Sequence, residues 1–382
     1  MSYYRKTNRS VVPNLINESG NRNLGDVDYD YVDYEYDNDY NCCMVNNGCQ
    51  QDPSFVLNFI VLYIVSSIRC AAKNLDRNLV DPWGIIINGD MTYIACAGSG
   101  LITTYNDCGN ALCPTINVFG PHNNIAQPTS IVLNYEINTF LLYSGSVVEP
   151  SEIIICTRDG TINGYNSMID PDNTVIVVDN SVKNSVYTGM ALVANILYVA
   201  DFYNHKIDSF NDNFVPITNF LFVDEFSANP IPQDYAPYNI INIGELLYVT
   251  YAKQNPRDNQ YELLGRGFGY VSVFTLRGKF VRRLISNSVL NAPWGLVLAP
   301  SHFGYVAGSF IVSNYGDGAI NIFNADGIYT STMSDATGNG LCIHGIRALI
   351  DDPNDSGSLC WTSSVNNRRD GFAGTIGTNN LK

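Results

Sequence analysis

From residue 82 onward the chain repeats one hydrophobic and polar pattern. A Pro or Gly turn leads into a run rich in Ile, Val and Tyr; a polar turn follows, then a stretch that alternates apolar and polar residues up to an aromatic. Runs of this kind, bounded by Gly, Asn and Asp, predict short strands joined by tight hairpins. Six openings align, at 82–87, 128–133, 188–193, 237–241, 293–298 and 344–349, and six third strands follow them, at 100–105, 160–165, 206–210, 269–274, 318–323 and 371–376. Recurrence at roughly 40–50 residues with several strands per unit is the pattern of radially arranged four-stranded sheets. The predicted fold is therefore all-β, a six-bladed β-propeller.

An outer strand is legible at 279–285, where the charges of Lys279, Arg282 and Arg283 suit an exposed blade edge. The last unit has no such strand after its third. The apolar stretch 55–66, just ahead of unit one, is expected to supply it, so that an N-terminal outer strand closes the ring and removes two open apolar faces. The division is then a tail, 1–54, and a propeller, 55–382.

Asp201 to Phe210 resembles the NHL repeat, with Asn204-His205-Lys206 in the place of its Asn-His-Leu-like triplet. Over residues 62–377 the chain also resembles an uncharacterised family of exported bacterial six-bladed propellers, marked by Leu-Val-x-Pro-Trp-Gly and present as Leu79-Val80-Asp81-Pro82-Trp83-Gly84. Segments 157–162, 200–204, 247–254, 290–296 and 314–318 match that pattern in order and at its spacing. The resemblance implies the fold and no particular reaction. The chain departs from that family at both ends, where neither a signal peptide nor a membrane-sorting tail is legible.

A net charge of −15 with a pI near 4.5 argues against nucleic acid, which requires a basic footprint. The basic start is followed by Asn, Glu and Gly rather than an apolar run, so no secretory signal peptide is read there. The strongest apolar window, 55–65, falls short of the roughly 20 residues a bilayer crossing needs, and no membrane span is expected. Among ten cysteines, Cys96, Cys156, Cys342 and Cys360 lie in or beside predicted strands, and at least half of them read as small buried apolar side chains. Cys108 and Cys113 bracket one loop, where a disulfide would fit an oxidising compartment.

Residues 1–54 carry nine Asp or Glu against four Lys or Arg and alternate acid with Tyr between Asp28 and Tyr40. Such a segment cannot bury enough apolar surface to fold and reads as a disordered, acidic, Tyr-rich and Asn-rich tail. Its functional alternative is a docking arm, with tyrosines contacting a partner and carboxylates selecting a basic surface.

Strand alternation brings the loops that enter each inner strand, and those joining second and third strands, to one face around the channel. The candidate binding residues of this mouth are Trp83, Arg158, Asp159, Asp201, Tyr203 and His205, together with Tyr251, Lys253, Trp294, Asn314, Asp317 and His344. Asp201 and Asp317 precede hairpins, where carboxylates cap backbone amides. His205 reads as hairpin packing, and Trp83 and Trp294 as packing between blades. His344 is the better placed base or ligand. The insertion 254–267 is expected to overhang the mouth.

The function expected on this basis is a non-enzymatic binding or structural module that contacts a protein or glycan, needs no cofactor, and is carried extracellularly or on a virion surface. The alternative is a lactonase-like hydrolase or lyase using a divalent metal such as calcium, with Asp159, Asp201, Asp317 and His344 as ligands or base. That chemistry requires those groups to converge.

Overall fold

A computed structural model describes residues 59–378, apart from 227, 302, 336 and 356. The tail and positions 55–58 lie outside the described residues. Six sheets form the ring. Blade one consists of Pro82–Asn88, Met91–Cys96, Leu101–Asn106 and Ala111–Asn117, and blade two of Pro128–Leu133, Ile153–Thr157, Thr161–Tyr165 and Val175–Asp179. Blade three has three strands, Tyr187–Val193, Ile196–Asp201 and Lys206–Phe210. Blade four comprises Tyr235–Ile243, Leu246–Lys253, Gly269–Thr275 and Phe280–Ser286, and blade five Pro293–Leu298, Phe310–Asn314, Ile320–Phe323 and Tyr329–Thr332. Ile346–Asp351, Ser358–Val365 and Asp370–Thr378 build blade six.

The expected closure is present. Phe59–Ser66 pairs antiparallel with Asp370–Thr378, in a register that sets Leu62 opposite Thr375 and Ser66 opposite Phe372. It becomes the outer strand of the last blade, and the short strand Asn74–Leu75 runs parallel beyond it. Phe59 also stacks on Phe303 at 5.7 Å, and its amide donates to Ser334 O at 3.0 Å, so the closing strand is fastened to blade five as well. Gly374 makes the pairing possible: a Cβ there would come within 1.9 Å of Leu62 O.

Inner strands crowd the axis. A Cβ on Gly84 would lie 3.0 Å from Ser130 Cα, one on Gly189 2.5 Å from Asn239 Cα, and one on Gly295 2.5 Å from Arg347 O. Blades one, three and five thus each use a glycine to let the next inner strand approach, which gives the Gly of both Pro-Trp-Gly turns a steric reason. Behind those contacts lies an apolar cluster that includes Leu79, Trp83, Phe202, Tyr238 and Trp294.

Two departures from the repeat were not legible. Among the described residues blade three has no outer strand; Phe222, from the irregular segment after it, packs edge-on against Tyr198 at 5.9 Å and Phe274 at 5.6 Å, covering the gap towards blade four. Blade two carries an extra hairpin, Leu141–Ser144 with Val147–Pro150, between its first two strands. No described helix is long and apolar enough to cross a membrane.

Candidate functional site: a roofed mouth lined by arginine and aromatic side chains

The blade-four insertion does overhang the mouth, and it is anchored. Gln254 is buried and its amide nitrogen donates to Phe202 O at 2.6 Å, to Asn259 O at 3.1 Å and to Tyr203 O at 3.4 Å, tying the loop to blade three and to itself. Asn255 N donates to Tyr261 O at 2.7 Å and closes the loop tip. Beyond the tip, Gln260, Tyr261 and Glu262 reach the opposite blades. Arg158 of blade two donates from Nη2 to Gln260 O at 2.8 Å, and its guanidinium lies 4.2 Å from the Tyr261 ring centre. Arg368, in the turn between the second and third strands of blade six, forms an ion pair with Glu262 and lies 4.9 Å from the same ring.

Beneath this roof stands Trp83, with three guanidiniums around its ring, at 3.9 Å for Arg347, 5.8 Å for Arg158 and 5.9 Å for Arg368. Arg347 is fully buried on the inner strand of blade six. Its Nη1 donates to Asp81 Oδ1 at 2.8 Å and to the Ser364 hydroxyl, and its other face lies 4.2 Å from the Tyr315 ring. Guanidiniums stack on aromatic faces because the ring quadrupole attracts the cation and the planar group is weakly hydrated. Local backbone contributes too: Asp81 at φ 47° and Arg368 at φ 64° occupy the left-handed region, which costs a non-glycine residue about 1–2 kcal/mol. Surrounding contacts hold both in it.

The electrostatics follow from crowding three cations with two carboxylates. Burial alone would push the Asp81 carboxyl up, but Arg347, Arg368 and the hydrogen bond from Ser364 together hold that group below its ordinary range. Glu262 is likewise pushed up by burial and pulled down further by Arg368, Arg347 and Arg158. Arg158 has no carboxylate of its own, and its acidity is raised by burial and by Arg368 beside it. Several buried polar atoms here have no hydrogen-bond partner among the described residues: Arg158 Nη1, Arg347 Nε and Nη2, Glu262 Oε2 and Tyr238 Oη.

Of the residues named from sequence, Trp83, Arg158 and Trp294 come together here. The two indoles meet edge-on at 6.2 Å and both are buried, and Trp294 Nε1 donates to Thr188 O at 2.9 Å. The exposed aromatic platform that stacking of a glycan on these tryptophans would need is therefore not formed by them. The remaining candidates hold up loops. Asp159 Oδ2 accepts from Gln127 N at 2.6 Å, Asp201 Oδ1 from Val186 N at 3.1 Å, and Asp317 Oδ1 from Ala319 N at 3.2 Å. His205, left-handed at φ 56°, places Nδ1 3.2 Å from Tyr235 O, and Asn314 donates to Val289 O at 2.8 Å. Lys253 pairs with Asp234 at 3.1 Å and lies over Phe268. Tyr251 packs in the core between blades three and four, Tyr203 is half-buried, and exposed His344 lies 3.8 Å from Cys342 Sγ. Among the described residues no group of three or more His, Cys, Asp or Glu side chains gathers as metal ligands would.

Sequence reasoning did not find Asp81, Tyr238, Tyr261, Glu262, Tyr315, Arg347 or Arg368. One signal was available: Arg347 interrupts an inner-strand run that is otherwise apolar, Ile346-Arg347-Ala348-Leu349-Ile350. A second opening lies elsewhere, a cavity of about 380 Å³ at the seam of blades six and one, lined by Ile64, Ile87, Tyr105, Asp107, Asp352 and Cys360.

No protein-family model matches the chain. Among solved structures, a protein of unknown function from Bacteroides thetaiotaomicron aligns over 84% of this chain and 76% of its own, with a TM-score of 0.54 and 12% identity. A streptogramin B lyase aligns over 84% and 98%, with a TM-score of 0.51 and 10% identity. At such identities the likeness shows the propeller fold alone. Relatives by sequence are proteins of Acanthamoeba polyphaga mimivirus, each named only as an uncharacterized protein. L690 is 36% identical over 84% of this chain and 86% of its own length, and R648 is 37% identical over 84% and 80%. R640 is 39% identical over 81% of the chain, which spans 58% of that longer protein. With two relatives matched over most of both sequences, the chain belongs to the family of mimivirus proteins that includes L690 and R648, and its fold is a six-bladed β-propeller.

Proposed function

We propose that the protein is a non-enzymatic binding module that engages a protein partner through the roofed mouth, as a component of a viral particle surface. The observation that supports this best is the roof itself. A loop from blade four is fastened across the mouth to blades two, three and six and presents the exposed tip 256–261 to solvent. A preorganised loop on a rigid scaffold loses little freedom on association, which favours affinity. The viral family supports placement on a particle, and the resemblance to exported bacterial propellers fits an extracellular setting. The tail 1–54 belongs to this reading as a second, acidic contact arm, and the propeller as the domain that carries it.

The metal-dependent alternative draws no support from the arrangement, since Asp159, Asp201 and Asp317 each cap backbone amides in a different blade. The test is quantitative proteomics of purified particles carrying either the wild-type chain or one with 256–260 replaced by Gly-Gly. Retention of the wild type with loss of the shortened-loop protein is the expected result. Absence of both from particles, or equal retention, overturns the proposal.

A further inference from the structure

The roofed mouth holds three guanidiniums, Arg158, Arg347 and Arg368, against two carboxylates, Asp81 and Glu262, so it carries a surplus positive charge in a chain whose net charge is −15. Arg347 spends only Nη1, on Asp81 and Ser364. Arg158 spends only Nη2, on a backbone carbonyl. Their remaining donors, Arg158 Nη1 with Arg347 Nε and Nη2, belong to side chains that are 6% and 0% exposed and have no partner among the described residues. Buried donors without acceptors are rare because each forfeits its hydration, and guanidinium forks suit planar oxyanions.

The same cluster also holds an acceptor without a donor, Glu262 Oε2, and a phenol, Tyr238 Oη, that can donate or accept. A bare anion would satisfy the guanidiniums and be repelled by Glu262. A carboxylate with a neighbouring hydroxyl satisfies both sets, its oxygens accepting from arginine and its hydroxyl donating to Glu262. The cluster meets solvent at Tyr261, which is 37% exposed and whose ring centre lies 4.2 Å from the Arg158 guanidinium and 4.9 Å from that of Arg368.

We infer that the cluster of Arg158, Arg347 and Glu262 against Tyr261 is a binding site for a hydroxy-carboxylate, the group displayed by sugar acids, which enters by displacing the Tyr261 ring, with Arg158 as the principal anion ligand. This deepens the mouth-binding reading and rests on it for the route by which such a group would arrive. The experiment titrates the full chain with glycolate, acetate, phosphate and chloride in parallel, following tryptophan fluorescence, since Trp83 lies within the cluster. Glycolate is expected to give a saturable change with an apparent affinity at least tenfold above that of acetate, while chloride gives only a shallow ionic-strength drift. Arg158→Gln should abolish saturation with unchanged circular dichroism, and Arg257→Gln at the exposed loop tip should leave it intact. A response to glycolate no different from that to chloride, or one retained in Arg158→Gln, overturns the site. Equal saturation by acetate or phosphate overturns the part assigned to the hydroxyl. Particle association is scored separately, so a saturable site in a protein that never reaches particles sinks the module and leaves the site standing.

Discussion

Glu262 and Arg368 are separated by 106 residues and form an ion pair across the mouth, with Glu262 buried and Arg368 22% exposed, joining the roof loop of blade four to a turn of blade six. Glu262 is the shared counter-ion of a cationic cluster, because Arg347 and Arg158 also pull its carboxyl towards the charged form. Removing one partner of a buried pair leaves an uncompensated charge and typically costs about 3–5 kcal/mol. Glu262→Gln is therefore expected near the lower end of that range, since it intensifies repulsion among three cations while the orphaned Arg368 keeps partial access to water. Arg368→Met should cost less, because two cations remain to face Glu262. Urea unfolding of both variants, with equal slopes to establish two-state behaviour, measures the order; a cheaper Glu262→Gln would contradict it.

The same groups set an acid limit. Asp81 and Glu262 have folded-state pKa values below their ordinary 3.8 and 4.5, so their contribution is complete above those values and is lost as pH falls through the depressed ones. Asp201 works in the opposite direction. Burial raises its pKa, so the stability linked to it is present at low pH and falls as pH rises through the folded value. Asp170, Asp179 and Asp335 are lowered as well and Glu152 is raised with Asp201, so the lowered carboxyls outnumber the raised ones five to two and acidification is expected to give a net loss. Thermal unfolding between pH 7 and pH 3 should show Tm falling steeply below about pH 4.5, and Glu262→Gln should flatten that limb.

Why the ring was legible and its mouth was not follows from the range of the interactions. Inner strands such as 293–298 announce themselves through Pro-Trp-Gly and an apolar run, and the closing strand through a final unit with no outer strand and an apolar segment ahead of the first. Those are local signals with one geometric solution. The extra hairpin Leu141–Ser144 and Val147–Pro150 and the missing outer strand of blade three break the repeat, so a reading built on recurrence passes over them. The insertion 254–267 could be placed over the mouth from topology. Its Glu262 could not be singled out, because an acid in a polar loop looks solvated until the fold brings Arg368 to it. Asp201 and His205 were legible as hairpin residues because their partners are close in sequence or in the next strand.

The closing strand offers a direct test of ring integrity. Gly374 faces Leu62 O, and a methyl there would also meet Trp361 Cζ2 at 2.8 Å, so neither the strand backbone nor the indole leaves room. Gly374→Ala should displace Phe59–Ser66 from Asp370–Thr378 and expose a sheet edge. Limited proteolysis is expected to release the segment before residue 67 at protease levels that leave the wild type intact, with a lowered Tm. An unchanged digestion pattern would mean the strand accommodates the methyl.

Thiol reactivity should follow burial. Burial pushes the Cys96 and Cys156 thiols up to about 12, and both are inaccessible, so neither supplies thiolate at neutral pH. Cys70, Cys108 and Cys113 are exposed and unbonded in the structure, the last two despite their spacing around one loop. Differential alkylation with mass spectrometry should label these three in the native protein, and Cys96 and Cys156 only after denaturation.

The roof can be loosened without touching its charges. Gln254 supplies one amide group to three carbonyls, on Phe202, Tyr203 and Asn259. Gln254→Ala leaves those buried acceptors unmade, at about 1–3 kcal/mol, confined to the loop because the blades do not depend on it. Hydrogen exchange should therefore accelerate across 255–267 by one to two orders of magnitude, on the order of 1.4 kcal/mol per tenfold, while the inner strands keep their protection. Acceleration that spread into Gly269–Thr275 would show instead that roof and blade four open as one unit. In that case the Glu262 and Arg368 pair would be holding the blade rather than covering the mouth.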